Sequence, residues 1–409
     1  FVVDEDIRGP VDRPAYSRFQ SFFGRLHYRN FHAGLNLFQE KRGNGTRLQK
    51  NRSSIQLYEM GMVNPSWDWN FYAQSSVLES DFSRIIPDRS AEFITAQQRF
   101  PALGLGSSLT FKPNHHFLLG TDWRYAQWSN RSQHLLGIFA QELLELRPRL
   151  DFLLGLRFDF WENQSVQTAV NPRVGFLFRS SETVTLRASA YRGFRAPTLN
   201  ELYRPFRVGN IITEANSNLG QERLWGGELG MDFHPSGSVL VRLNGFWNSL
   251  RDPVSNVTIS VSPEQILRQR QNLGKVRIRG LEMETTFRIG PLWELRAAYL
   301  YSDAITNDRL QLPQVPHHQG SIALNFIGPV FLIVQAQWVG DQFEDDRNNL
   351  KLRGYPLLHL SASRPISEHL EVFFAVENVL DRKYPVGRTP IEKLGAPLFL
   401  HGGLRFSLN

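Results

Sequence analysis

Apolar residues recur at every second position along this chain. Leu150, Phe152, Leu154, Leu156, Phe158 and Phe160 fall on one face of an extended segment, while Asp151, Leu153, Gly155, Arg157 and Asp159 fall on the other. Successive side chains of a strand point to opposite faces, so this is a strand with one greasy face. The alternation returns in Leu370, Val372, Phe374 and Val376 against Glu371, Phe373, Ala375 and Glu377, and in Leu398, Leu400, Leu404, Phe406 and Leu408 against His401, Arg405 and Ser407. Val184/Leu186/Ala188/Ala190 and Trp225/Leu229/Met231/Phe233 repeat it, and no helical periodicity of comparable strength competes.

Two kinds of connection take turns between these strands. Tight turns are expected at Arg29-Asn30, Asn64-Pro65, Lys112-Pro113-Asn114, Arg147-Pro148, Ser180-Ser181, His234-Pro235-Ser236-Gly237, Gly290-Pro291, Gly328-Pro329 and Pro365-Ile366-Ser367-Glu368. Between them lie longer polar stretches at 41–50, 81–101, 129–133, 162–170, 194–222, 260–268, 304–314, 341–352 and 379–395. Short turns alternating with long loops are the pattern of an antiparallel up-and-down β-barrel in an outer membrane, with the short turns periplasmic. The scheme predicts about 19 strands. Both the first, near 16–28, and the last descend to the periplasm, so an odd number of strands is expected before Tyr16, and three more give about 22, the plugged-lumen transporter size. Near Gly280 the apolar face switches from Val276/Ile278 to Leu281/Met283. Either a bulge sits there or 275–279 rises above the membrane, and the second reading is preferred.

Composition narrows the class further. The 409 residues carry a formal charge of +7, 30 Phe, 9 Trp, 11 Tyr and no Cys. Aromatic core material is plentiful, and disulfides, thiolate metal sites and cysteine nucleophiles are excluded. No stretch approaches the ~18 apolar residues of a spanning helix. The basic residues are spread singly, which argues against nucleic acid. The chain begins at Phe1, and is therefore expected to be a mature segment or a fragment.

Three passages carry a family resemblance. Asn171-Pro172-Arg173 followed by Arg192-Gly193-Phe194-Arg195-Ala196-Pro197-Thr198-Leu199-Asn200-Glu201-Leu202-Tyr203, then Asn272-Leu273-Gly274 with Gly280-Leu281-Glu282, then Glu377-Asn378-Val379-Leu380-Asp381-Arg382-Lys383-Tyr384, resemble in this order the signatures of TonB-dependent outer-membrane receptors. His401 to Leu408 resembles the signal by which the β-barrel assembly machinery recognises such barrels, although Asn409 replaces the usual terminal aromatic residue. The resemblance implies a bacterial outer-membrane receptor, 1–409 being its barrel without the N-terminal plug and TonB box. It also implies capture of a small-molecule nutrient (siderophore, cobalamin, haem or oligosaccharide) and coupling to TonB through the missing plug. The expected partners are therefore TonB, the ligand, outer-membrane lipid and the assembly machinery, with no cofactor. A passive porin-like or structural barrel is the alternative. An outer-membrane hydrolase is a further one: no HExxH, GxSxG or phosphate loop occurs, but triads assemble in space.

Candidate binding residues lie in the 194–222 stretch. Arg195, Tyr203, Arg204, Phe206 and Arg207 combine guanidinium groups with aromatic faces, which suits an anionic or planar ligand; anchoring at the membrane rim is the competing role. The inward charges Asp151, Arg157, Asp159, Arg173, Arg179, Arg187, Glu228, Asp232, Glu282, Glu284, Glu294 and Arg296 are expected to be wet lumen wall. Asp341, Glu344, Asp345 and Asp346 could make a weak calcium site, with a solvated acidic loop preferred. The adjacent pairs His115-His116 and His317-His318 point to opposite faces of a strand and are not expected to bind metal.

Overall fold

The computed structural model describes residues 2–3, 8–162, 165–208, 210–262, 265–389 and 392–407. Leu408 and Asn409, the end of the expected insertion signal, lie outside the described residues. Nineteen strands form one curved wall, each antiparallel to the strand before it in the wall. It begins at Tyr16–Tyr28 and ends at Phe399–Phe406. Most registers are unbroken: all thirteen residues of Phe31–Gly43 pair with the strand before and with the strand after. This architecture follows from the alternation, because each unbroken register keeps every apolar position of a strand on the same side as those of its neighbours.

The side chains sort as the parity requires. Leu154, Leu156, Phe158 and Phe160 stand on the outer face and are exposed at 40–42%. On the inner face Arg157 bridges Asp122 (2.5 Å) and Asp159 (2.6 Å), and Asn171 donates to Asp159 at 2.8 Å. Arg179–Asp151 and Arg187–Asp232 continue the pattern at 2.7 and 2.8 Å. Pairing of opposite charges within and between neighbouring strands lets a polar lumen wall carry both signs of charge.

Three expectations change in detail. Trp67–Ile85 and Glu92–Phe111 run 19 and 20 residues, so the loop expected at 81–101 shrinks to 86–91. Polar residues hid these strands because they climb beyond the membrane, where facing no longer demands apolar side chains. The 129–133 loop shrinks to a two-residue turn with Ser129 at φ 53°. Strands also extend into 162–170, pairing Val166 with Glu162. Strict alternation of connection lengths therefore fails in this sector.

At Gly280 there is no bulge: the Lys275–Ile289 strand pairs continuously on both sides. The face is constant and the environment changes, so Arg277 and Arg279 stand outward while Val276 is fully buried on the inner side. A Cβ at Gly280 would sit 2.1 Å from the Tyr301 carbonyl oxygen, which accounts for glycine at this close approach.

The first and last strands differ from the rest. Tyr16–Tyr28 pairs with Phe31–Gly43, and Phe399–Phe406 with Leu370–Glu377, but among the described residues no ladder joins the two outer strands to each other. The wall wraps round as a barrel, and both outer strands are exposed along nearly their whole length.

Candidate functional site

The long connections build a mouth over one end of the wall. After Arg195 the chain turns at the buried Pro197 into the one-turn helix Leu199–Tyr203. Thr198 and Glu201 form a capping box: Thr198 accepts from the Glu201 N–H at 3.2 Å, and Glu201 accepts from the Thr198 N–H at 2.8 Å. Leu199 and Leu202 fasten the turn from below, at 6% and 1% exposure. The chain then forms a hairpin, Phe206–Val208 with Ile211–Glu214. The second strand of this hairpin pairs in parallel with Ile266–Asn272, itself antiparallel to Val254–Val261. This four-stranded cap, separate from the wall, was not foreseen: its parallel pair joins strands more than fifty residues apart in sequence.

Of the five candidate residues, the structure brings three together. Arg204, Phe206 and Arg207 line a cavity of about 760 Å³ between the cap and the wall, together with Arg42, Asn51, Asp81, Asn256 and Arg270. The Arg204 guanidinium lies 4.2 Å from the Phe100 ring centroid, and its Nε is buried with no hydrogen-bond partner. Burial pulls Arg204 below its ordinary value, and nearby Arg270 adds to the effect. Burial likewise lowers Arg207, with Arg84 contributing. Such groups favour an anion, which would restore what desolvation removes.

Arg195 and Tyr203 are placed differently from expectation. Arg195 donates from Nη1 to Glu201 at 2.9 Å and from Nε to Glu222 at 2.8 Å, so its planar fork closes the loop onto the wall. Burial alone would raise the Glu201 carboxyl, but Arg195 and the Thr198 N–H hold it below its ordinary value. Tyr203 packs under Arg131, whose guanidinium lies 4.9 Å from its ring centroid.

Arg270, which lines the same cavity, was not among the sequence candidates. It is 6% exposed, donates to the Asn200 and Arg204 carbonyls at 2.6 and 2.7 Å, and lies 5.1 Å from the Phe206 ring centroid. It sits in the polar run Arg268-Gln269-Arg270-Gln271-Asn272, where its only signal is proximity to the Asn272 motif.

The other motif residues act as latches. Asn272 donates to the Asp252 carbonyl at 2.6 Å and accepts from the Gly220 N–H at 2.8 Å, tying two loops. Asn378, 2% exposed and at φ 47°, donates to the Arg382 and Ala396 carbonyls at 3.0 Å each and closes the 378–398 loop. Tyr384 packs at a tilt against Tyr355 with ring centroids 4.1 Å apart.

In the acidic loop Asp341 is exposed and Asp345 buried, and each carboxylate has a hydrogen-bond donor. Asp345 accepts from the Leu350 N–H at 2.7 Å, Asp346 from the Thr258 hydroxyl at 2.7 Å, and Asp341 from the Gly354 N–H at 2.7 Å. Glu344 takes the Arg388 N–H. All four accept from backbone N–H groups, and Asp346 binds the loop to the cap sheet. Among the described residues no cluster of three or more His, Asp or Glu suits a metal. The two histidines of the 317–318 pair diverge, His317 towards the Ser302 carbonyl (3.1 Å) and His318 towards the Tyr299 hydroxyl (2.7 Å).

Comparison with known proteins agrees with this geometry. The family model described as TonB dependent receptor-like, beta-barrel matches residues 5–379. The ferric enterobactin receptor of Pseudomonas aeruginosa is 23% identical over 289 residues, covering 62% of this chain and 38% of that protein. A vitamin B12 transporter of Vibrio vulnificus is 24% identical over 345 residues, covering 82% and 51%. A hemoglobin and hemoglobin-haptoglobin-binding protein of Haemophilus influenzae is 31% identical over 109 residues, which is 25% of this chain and 10% of that protein. The chain thus spans about half or less of the length of these relatives. Among solved structures, a ferric enterobactin receptor of P. aeruginosa superposes with a TM-score of 0.73 at 15% identity, over all of this chain and 72% of that one. The copper transporter OprC gives 0.77 at 15% identity, over 96% and 72%. At this identity the superpositions establish the fold.

Proposed function

The chain belongs to the TonB-dependent receptor-like β-barrel family of the bacterial outer membrane, and from that premise we propose that its mouth captures an anionic nutrient complex for TonB-coupled uptake. The observation that carries this reading is the cavity at the cap, where Arg42, Arg204, Arg207 and Arg270 face a pocket with two acids, Asp81 and Glu201, and Glu201 is already engaged by Arg195. A ferric chelate with anionic oxygens matches that surface through bidentate guanidinium contacts. A neutral corrinoid has less to gain there. The relatives named for ferric enterobactin point the same way. A bare pore fits less well, because the four-stranded cap and the 341–352 loop are tied together at the mouth by Asp346 and Thr258. The family match takes 5–379 as barrel, so coupling to TonB would run through a plug outside those residues.

Equilibrium binding to outer membranes carrying the receptor tests the reading, with an iron-55 tris-catecholate complex and cobalamin as the two probes. Arg204→Gln and Arg207→Gln should each weaken the ferric complex by about ten- to a hundredfold, since hydrogen bonds to charged groups contribute about 1.5–3 kcal/mol. Unchanged affinity in the double variant would remove the cavity from ligand capture.

A further inference from the structure

The cap cavity adjoins a second one. Below the 196–204 segment lies a chamber of about 920 Å³ inside the wall, with Tyr72, Trp128, Gln74 and Gln133 among its lining residues. Asn200 and Arg204 line both cavities. On the wall side the strand Trp67–Ile85 marks the division: Gln74, Ser76 and Leu78 line the lower chamber, and Ser80, Asp81 and Phe82 the upper cavity. Phe100 stands opposite Leu78 in the register, on the rung where one cavity gives way to the other.

Arg204 at this neck differs from the cations below it. Arg124 and Arg157 line the lower chamber and pair with Asp122 at 3.5 and 2.5 Å, and Arg195 pairs with Glu201 at 2.9 Å. Among the described residues the Arg204 side chain makes no hydrogen bond or ion pair; its guanidinium rests 4.2 Å from the Phe100 ring centroid, with Nε buried. A ring face orients a guanidinium without cancelling its charge, whereas a carboxylate does both. The backbone here is fixed, since the Arg204 N–H donates to the Asn200 carbonyl at 3.1 Å and Arg270 donates to the carbonyls of both residues. A fixed backbone and a side chain seated on a ring leave an uncompensated positive charge at the neck, in the path of anything moving between the two cavities.

We propose that Arg204 is the specificity residue of this neck, admitting anions and holding back cations between the cap cavity and the lower chamber, and that Phe100 is the positioning residue that holds its guanidinium there. An anion repays the desolvation of the guanidinium at the neck, and a cation meets it as a like charge. The inference rests on the reading above in taking the cap cavity as the entrance. It concerns passage and not affinity, so small charged reagents test it without the nutrient.

The complete receptor in whole cells is the sample, with heat-modifiable gel migration reporting the folded barrel. This chain has no cysteine, so Gln74→Cys puts a thiol in the lower chamber and Asn51→Cys puts one in the cap cavity, with the unsubstituted receptor as the blank. The probes are sulfonatoethyl and trimethylammonioethyl methanethiosulfonate, alike in size and opposite in charge, and the readout is the ratio of their reaction rates. Adding Arg204→Gln should lower the anion-to-cation ratio at the Gln74→Cys thiol by about twentyfold, because one unit charge about 4 Å away changes each ion's local concentration roughly fivefold in water, in opposite directions. At the Asn51→Cys thiol the fall should be smaller, since Arg42 and Arg270 still line that cavity. An unchanged ratio at the Gln74→Cys thiol, or equal falls at both thiols, would overturn the neck. Phe100→Leu should lower the ratio and Phe100→Tyr should restore it; equal loss in the two would overturn the positioning role. If the Arg204→Gln receptor does not fold, this Phe100 pair carries the comparison. Weaker binding of the ferric complex by Arg204→Gln with an unchanged ratio would refute the neck and leave the capture reading standing. A lowered ratio with undiminished ferric-complex binding would do the reverse.

Discussion

The wall and the mouth of this receptor are built from the same residue types under different rules. In the wall, position decides environment. Leu156 meets hydrocarbon and Arg157 meets the lumen because they are neighbours in a strand, and the same holds at Asp151 and Phe152. In the mouth, partners decide environment. Arg195 is held by Glu201 and Glu222, Asn378 by two carbonyls, and Arg270 by the helix end it supports. A wall residue can therefore change identity within its polarity class. A mouth latch cannot, since its hydrogen-bond geometry is specific to the side chain.

The sharpest way to break this contrast is to invert the two faces. Leu156→Arg should destabilise the barrel by about 2–4 kcal/mol, measured by unfolding in urea from lipid vesicles. Arg157→Leu, expected from parity alone to matter less, should approach that loss. It leaves Asp122 beside Asp159, which is 2% exposed, without the guanidinium between them. Repeating it in an Asp159→Asn background should recover much of the loss. No recovery would mean that the inner charges are independent and not a network.

That pair also marks how far sequence reasoning reaches. Parity placed the apolar face of the 150–162, 184–195 and 222–236 strands because the period of two repeats locally, and the turn and loop signals between strands placed the count of nineteen. It missed the upper halves of Trp67–Ile85 and Glu92–Phe111, which leave the bilayer and with it the need for alternation. In the mouth, composition singled out Arg204, Phe206 and Arg207, which the structure places along one cavity, but could not show the engagement of Arg195. Nor could it find Arg270, whose role depends on a parallel pairing between segments distant in sequence.

Removing a latch should cost less and act locally. Asn378→Ala leaves the Arg382 and Ala396 carbonyls without their donor, a loss of about 1–3 kcal/mol. Hydrogen exchange should rise across 379–398 and stay unchanged in Leu150–Glu162. A uniform rise would make the latch part of the wall. Thr198→Ala, which deletes one arm of the capping box, should cost about 1 kcal/mol and increase proteolysis within 196–221.

The smallest effect concerns acid and a segment outside the membrane span. Residues 9–13 lie against the 86–91 turn: Val11 donates to the Arg89 carbonyl at 3.3 Å, and Arg89 donates from Nε to Asp12 at 2.8 Å. Burial would raise the Asp12 carboxyl, but the hydrogen bonds from Arg89 and the Gly9 N–H outweigh it and hold the group below its ordinary value. A carboxyl depressed in the folded state contributes stability that is fully present above its unfolded value and is lost as pH falls through the folded value. The Val11 and Arg47 amides, both bonded within this contact, should therefore stay protected near neutrality and lose protection only below the normal carboxylate range. Wall amides should keep theirs over the same interval. Asp12→Asn should make the segment open to a similar degree at every pH. If the segment instead opens in step with the wall, the ion pair belongs to the barrel's global stability, and the boundary drawn here between wall and mouth is misplaced at this corner.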